Sequence, residues 1–426
     1  MNGPFGEIGM SEAPAVRQFG PYDLITRLGV GGMAETWLAL RRVAPGVHKF
    51  LALKCILPAC NDVAEYVRLF YHEAGISLNL EHPNIISVWD CSVIDGRHTM
   101  VMEYLRGVTL REVFVRMRER KVKMPLEVAS WIGVQILEAL DYLHQYRDDA
   151  GEWLQIVHRD VTPDNIFVCY DGLCRLFDFG VARSGGIDKD IQRGMIVGKV
   201  AYMSPEQCEG GDVDGRSDTF ALAAVLYEMA TGMAVFERES DILTIQALMH
   251  DEIEAPHKRD YRFSAYLSRI IMQGLEREPA RRYATAGEFA GDLRNYMKVG
   301  GFAQTPVALK RFLSELFAPE IERIASFLSR TLESVSEGST SLEQVMGASR
   351  RISESGMHHG VNRANMDISI SKISSFGMGN TSVLPSSADT DIMFDDTSVS
   401  PIVTPELAES YDTMEMPEVR PHRKNF

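Results

Sequence analysis

The segment His158-Arg159-Asp160-Val161-Thr162-Pro163-Asp164-Asn165, followed thirteen residues after Asn165 by Asp178-Phe179-Gly180, constrains this chain more than any other feature. Asn and Asp offer hard oxygen donors suited to a divalent cation that bridges phosphate oxygens. Asp160 supplies a carboxylate able to accept a hydroxyl proton. Either tripeptide alone is within reach of chance. Both, in this order and at this spacing, are not.

The chain around them is long enough for two or three domains, at 426 residues. Its formal charge of −15 argues against a nucleic-acid partner and against a polybasic membrane binder. Cys55, Cys60, Cys91, Cys169, Cys174 and Cys208 include no C-x-x-C pair and read as reduced thiols. The N-terminal MNGPFGEIGMSEAP has neither a basic nor an apolar region of a signal peptide, and no run approaches 18 uncharged apolar residues. The expectation is a cytoplasmic chain with no membrane span.

Composition is globular from about Tyr22 to about Met297, after a flexible stretch at 1–18. Tyr22–Leu28, Glu35–Leu40 and Phe50–Leu57 read as strands, Asp62–Leu80 as a helix carrying Glu73, and the remainder as mostly helical. A small strand-rich lobe before a larger helical one implies a cleft. A helical segment follows at 305–335. Thr305-Pro306 forms its N-cap and first position, and Val307, Leu309, Phe312, Leu313 and Leu316 recur at helical spacing. Pro319 predicts a break, and Ile321, Ile324, Phe327 and Leu328 make a second stripe. These stripes are expected to pack on the adjoining domain rather than to form a dimer or docking surface. From 337 to 426, 15 Ser, 6 Thr and 13 acidic residues with few clustered apolar ones predict disorder.

Two further features lie in the strand-rich part. Leu28-Gly29-Val30-Gly31-Gly32-Met33-Ala34 sits between two strands, where glycines let backbone N–H groups approach phosphate oxygens. Alone it also fits an ordinary hairpin. Leu51-Ala52-Leu53-Lys54 is a strand whose alternation points the lysine inward, so that it needs an anion. Glu73 and a nucleotide's phosphates are the candidates.

Together these segments resemble the eukaryotic-like Ser/Thr protein kinase family of bacteria, from about Phe19 to Met297. The resemblance implies an α+β, two-lobed fold at 19–298, with the N-lobe at about 19–102 and the C-lobe at about 105–298. It implies ATP and Mg²⁺ (or Mn²⁺) as cofactors and protein substrates as partners. Gly29, Gly31 and Ala34 align with three glycine positions of the phosphate loop, Ala34 departing from the pattern, and Leu28, Val30 and Gly32 complete the loop. Lys54 resembles the lysine that holds the α- and β-phosphates, and Glu73 its partner on the mobile helix. Thr36, Ala52, Met102 (the gatekeeper), Glu103, Tyr104, Leu105 and Phe167 resemble the adenine pocket and hinge. Asp160 resembles the catalytic base, and Asn165 and Asp178 the metal ligands. Ser204-Pro205-Glu206 matches the family's A-P-E, with Glu206 paired to Arg282, and Asp218 resembles the aspartate that holds the catalytic loop. The insert Asp148–Ile156, with H-R-D-V-T-P and G-K-V-A-Y-M-S-P-E-Q, resembles a myxobacterial-type subset.

Regulation departs from the commonest pattern. Between Gly180 and Tyr202 there is no Thr, and Ser184 is the one Ser. Ser184, or Asp188 and Asp190 standing in for phosphate, would serve Arg159, and activity should not require activation-loop threonine phosphorylation. In the tail, Thr404-Pro405 and Ser400-Pro401 could be autophosphorylated and recruit a phospho-binding partner. The leading expectation is an active protein Ser/Thr kinase; the alternative is a nucleotide-binding pseudokinase scaffold acting through its C-terminal helices and tail. A small-molecule kinase and tyrosine specificity are disfavoured, the latter by Thr162-Pro163. The oligomeric state is not legible.

Thr162 stands where Ser/Thr members of the family usually carry Lys, and Lys199 where they usually carry Thr. Lys199 is expected to supply the missing cation at the γ-phosphate. Lys199→Met should then lower phosphoryl transfer about 100-fold or more, and Thr162→Lys combined with Lys199→Thr should restore part of it. A neutral Lys199→Met in a steady-state assay would refute the exchange.

Overall fold

The apolar alternation between Tyr22 and Ile56 builds three long antiparallel strands. In the computed structural model, residues 17–44, 46–179, 200–259, 263–302 and 305–355 are described. Strands β1 (Arg17–Phe19), β2 (Tyr22–Val30), β3 (Ala34–Ala44), β4 (Val47–Ile56), β5 (Val88–Ile94) and β6 (Arg97–Glu103) form an antiparallel sheet in the order β1-β2-β3-β4-β6-β5. Register sorts its faces, because residues directly opposite share one. Thr36, Lys54 and Met100 form one row, and Leu38, Ala52 and Met102 the next. The opposite face carries Ala39, Leu51, Leu53, Cys55 and Val101 in a separate apolar cluster. Helix α1 (Ala64–Ser77) buries Phe70 and Ala74 against Ile56, Met100 and Met102.

The helical lobe begins after Glu103. A short sheet, β7 (Gly107–Thr109), β8 (Ile166–Cys169) and β9 (Cys174–Leu176), underlies the cleft. Gly107 is required there: a Cβ would lie 2.3 Å from the Val168 carbonyl oxygen. Helix α2 (Leu110–Arg120) starts with a reciprocal capping box between Thr109 and Glu112. Around α3 (Leu126–His144) and α5 (Gly215–Thr231) pack α4 (Pro205–Glu209), α6 (Asp241–His250), α7 (Pro256–Arg259), α8 (Ala265–Gly274) and α9 (Ala286–Val299). Every residue of α5 from Ser217 to Ala230 is buried, which explains its lack of a polar face.

Helix α10 (Thr305–Ser355) breaks at Phe317, whose φ of −127° and ψ of 21° are not helical. The cause is Pro319, which has no N–H and whose ring crowds the carbonyl four residues earlier. That carbonyl, on Glu315, accepts instead from Arg120 at 2.8 Å, and the Leu316 carbonyl accepts from Arg116 at 3.3 Å. Before the break, Leu309, Phe312, Leu313 and Leu316 join the core of the helical lobe. After it, Ile324, Phe327, Leu328 and Val335 pack against Ile25, Leu38 and Leu40 of the large sheet. Most of both apolar stripes is thus packed on the adjoining domain, but Val307, expected in the first, is 60% exposed, and Ile321 of the second packs on the helical lobe rather than on the sheet. The backbone stays helical to Ser355, past residue 337, where composition predicted disorder to begin; extending a nucleated helix costs little. The residues of 356–426, including the Ser400 and Thr404 sites, lie outside the described residues, as do 1–16. Among the described residues no helix is long and apolar enough to cross a membrane.

Because Leu309 is fully buried, Leu309→Ala is expected to cost about 2–5 kcal/mol. Urea unfolding of the full chain checks this, and an unchanged midpoint would show that the segment is not part of the domain's core.

Candidate functional site

Between the large sheet and the helical lobe lies a cavity of about 280 Å³. Leu28, Gly29, Val30 and Gly31 form one wall, and Thr36, Ala52, Lys54 and Glu73 another. Met102, Glu103, Tyr104 and Leu105 line the connection between lobes, with Phe167 and Asp178 below. Gly32 and Ala34, expected among the nucleotide contacts, do not line it. They sit at the turn, where the Gly31 N–H donates to the Ala34 carbonyl at 2.7 Å. Met100, Val88 and Phe177 also line the cavity and were not anticipated. Met100 shares a face with Met102 by simple alternation, so that signal was present; nothing in the local pattern around Val88 marked it.

Lys54 lies at the centre of the site. Its Nζ sits 2.7 Å from Glu73 Oε1 and 2.8 Å from Asp178 Oδ1. Burial disfavours the ammonium, but the two carboxylates outweigh it and hold Lys54 above the ordinary lysine range. Burial pushes Glu73 up despite the pull of Lys54. Strand β4, helix α1 and the segment after β9 therefore meet at one cation.

The second group is built on Asp218, in the first turn of α5 and 1% exposed. It accepts from the backbone N–H groups of His158 at 2.9 Å and Arg159 at 2.8 Å, and lies 2.8 Å from His144 Nε2. Those bonds hold Arg159 at a φ of 64°, a left-handed conformation that costs a non-glycine residue energy. Asp178 also has a positive φ, of 56°. Asn165 Nδ2 donates to the Asp160 carbonyl at 2.9 Å, and the Phe177 N–H donates to the Asn165 carbonyl at 3.1 Å. The loops bearing Asp160, Asn165 and Asp178 are thereby hydrogen-bonded neighbours. Phe179 is buried beside His158, ring centroids 5.1 Å apart. Asp160 is buried to 7% exposure. The hydroxyl of Thr162 is buried and has no partner among the described residues. Lys199, the other half of the expected exchange, lies outside the described residues, and so do Gly180, Ser184, Asp188 and Asp190.

Beside this site, Glu206 and the fully buried guanidinium of Arg282 make two bonds of 2.7 Å. Arg111 donates to Asp164 at 3.2 Å and to Tyr202 at 3.1 Å, a link between the loop at 158–165 and the segment before α4 that sequence reading missed. Among the described residues, no group of three or more His, Cys, Asp or Glu side chains is arranged to hold a metal. Asn165 and Asp178 offer two hard oxygen donors, which leaves further positions to water and phosphate.

A strained polar loop, a buried lysine bridging two carboxylates and a glycine-lined cavity thus meet between the sheet and the helical lobe. The protein kinase domain model matches residues 22–290. The chain belongs to the protein kinase domain family. It is 31% identical over 317 residues to tyrosine-protein kinase MasK of Myxococcus xanthus, covering 74% of this chain and 49% of that protein. It is 32% identical over 277 residues to serine/threonine-protein kinase PrkC of Bacillus subtilis, covering 65% and 40%. The kinase domain of PknI from Mycobacterium tuberculosis is 26% identical, with a TM-score of 0.49 and coverage of 66% of this chain and 98% of that domain. The chain thus spans half or less of the length of these two curated relatives.

His158 gives a pH test. Its Nδ1 accepts from the Asp160 N–H at 3.3 Å and its Nε2 faces the Phe177 carbonyl at 3.3 Å, a set that suits the neutral ring. Burial holds its pKa below the ordinary 6.5. In the unfolded chain it binds a proton first, so its contribution is present above pH 6.5 and is lost as pH falls below it. Urea stability is expected to fall between pH 7.5 and 5.5 with a slope that His158→Gln reduces by at most about 1.4 kcal/mol per pH unit. Identical slopes would contradict the neutral assignment.

Proposed function

We propose that this chain is a protein Ser/Thr kinase, moving the γ-phosphoryl group of ATP to serine or threonine hydroxyls of protein substrates with Mg²⁺. The observation that carries this reading is the Lys54 ammonium at 2.7 and 2.8 Å from Glu73 and Asp178 in the wall of a glycine-lined cavity. Lys54 would hold the α- and β-phosphates, with Glu73 fixing its position. Leu28 and Met102 would enclose the adenine, with Ala52 and Phe167 against its faces. Asp160 would accept the proton of the attacking hydroxyl as its oxygen bonds to the γ-phosphorus and ADP departs.

The donor set fits the metal. Asn165 commits its amide nitrogen to the Asp160 carbonyl, which leaves its oxygen as a donor. Asp178 spends one oxygen on Lys54 and keeps a half-exposed carboxylate. When bound, Mg²⁺ would neutralise phosphate charge as a Lewis acid. Six free thiols favour a reducing compartment, and we place the reaction in the cytoplasm. The scaffold alternative is disfavoured because Lys54, Glu73, Asp160, Asn165 and Asp178 are all present. Similarity to MasK, named a tyrosine-protein kinase, favours a second reading in which the acceptor is tyrosine.

Incubation with γ-labelled ATP, Mg²⁺ and a generic basic protein, followed by phosphoamino-acid analysis, separates these. Label on Ser and Thr is expected, reduced about 100-fold or more in Asp160→Asn while nucleotide still binds. Label on Tyr alone would establish the second reading, and nucleotide binding without label would establish the scaffold.

A further inference from the structure

The face of the large sheet that roofs the nucleotide cavity does not end there. Its rows run from Thr36–Lys54–Met100 through Leu38–Ala52–Met102 to Leu40–Phe50. Thr36, Lys54, Met100, Ala52 and Met102 of the first two rows face the cavity and α1. Leu38 and Leu40, with Ile25 of β2, face Ile324, Phe327 and Leu328 of α10 instead. Leu28 belongs to both neighbourhoods: it lines the cavity and packs against the α10 cluster. Tyr104, in the connection between the lobes, does the same.

The other end of this helix is fastened to the helical lobe. Leu309 and Leu313 are fully buried in its core. Arg116 of α2 reaches Glu320 at 2.8 Å and covers the Phe317 ring at 4.9 Å from its centroid. The helix is therefore a second, noncovalent connection between the lobes, beside the covalent one at 103–106. At its sheet-facing end Phe327 and Leu328 are buried, and a cleft of about 360 Å³ is lined by Leu328, Leu332, Phe50, Tyr104 and Arg106.

We propose that Phe327 and Leu328 are positioning residues for nucleotide. Docked on Ile25, Leu38 and Leu40, they hold strands β2 and β3, and Leu28 with them, at the height that closes the cavity roof. Nucleotide binding and docking of 321–335 then strengthen each other reciprocally, since both act through Leu28 and Tyr104. The Arg116–Glu320 ion pair sets the angle at which the helix crosses from one lobe to the other. The proposal rests on the reading of the cavity as a nucleotide site, not on which hydroxyl accepts the phosphoryl group.

The full chain tests it by nucleotide affinity and hydrogen exchange, neither of which requires turnover. Addition of Mg²⁺ and a nonhydrolysable ATP analogue to the wild type is expected to slow amide exchange at 321–335 several-fold. Phe327→Ala is expected to weaken analogue binding about 10-fold, measured well below its melting temperature. Arg116→Glu and Glu320→Arg should each weaken it, and the reversed pair should recover part of the loss. Unchanged exchange at 321–335 on analogue binding would overturn the proposal, and this measurement needs no variant. So would unchanged affinity in a folded Phe327→Ala chain whose 321–335 amides exchange freely. A wild-type chain that binds no nucleotide would remove the function reading and the proposal with it; binding without phosphoryl transfer would remove only the former.

Discussion

The ammonium of Lys54 is the group on which the rest of the site depends. A lysine buried this deeply is tolerable only with compensating charge. Here the compensation comes from two carboxylates on two other elements, Glu73 of α1 and Asp178 after β9. Neutralising either would leave a buried cation short of its partner, so sheet, helix and loop are held in one arrangement. The same arrangement leaves Asp178 half-exposed towards the cavity. Structural and chemical demands thus fall on one cluster.

A second buried carboxylate does the corresponding work in the helical lobe. Asp218 accepts two successive backbone N–H groups and keeps Arg159 in a left-handed conformation. Backbone strain of this kind costs on the order of 1–3 kcal/mol and persists only where its surroundings over-determine it. The surroundings here are α5, buried along nearly its whole length, and the Glu206–Arg282 pair beside it. A rigid helical lobe presents Asp160 and Asn165, while the sheet carries the cavity roof.

Much of this was legible in sequence because each signal was local. Alternation from Leu51 to Lys54 pointed the lysine inward, and the structure places it there, 9% exposed. Pro319 announced the break, which falls two residues earlier, at Phe317, because a proline disturbs the turn before it. What was not legible depended on distant contacts. The stripe at Ile324, Phe327 and Leu328 showed that the helix buries a face, but not that the face meets β2 and β3 of the other lobe. The placement of Val88 in the cavity wall likewise follows from strand order, which crosses from β4 to β6 before reaching β5. The role of Arg111 also depends on Asp164 and Tyr202, 53 and 91 residues further along the chain. Gly32 and Ala34 were expected from the resemblance of the loop, yet neither lines the cavity; the Gly31 N–H closes the turn on the Ala34 carbonyl.

The most direct test is a crystal structure of the full chain with Mg²⁺ and a nonhydrolysable ATP analogue. The account predicts phosphates against the turn after Leu28 and beside Lys54, with the metal at about 2.1 Å from oxygens of Asn165 and Asp178. A nucleotide bound elsewhere, or one in this cavity with Lys54 still occupied only by Glu73 and Asp178 and the metal touching neither Asn165 nor Asp178, would contradict it.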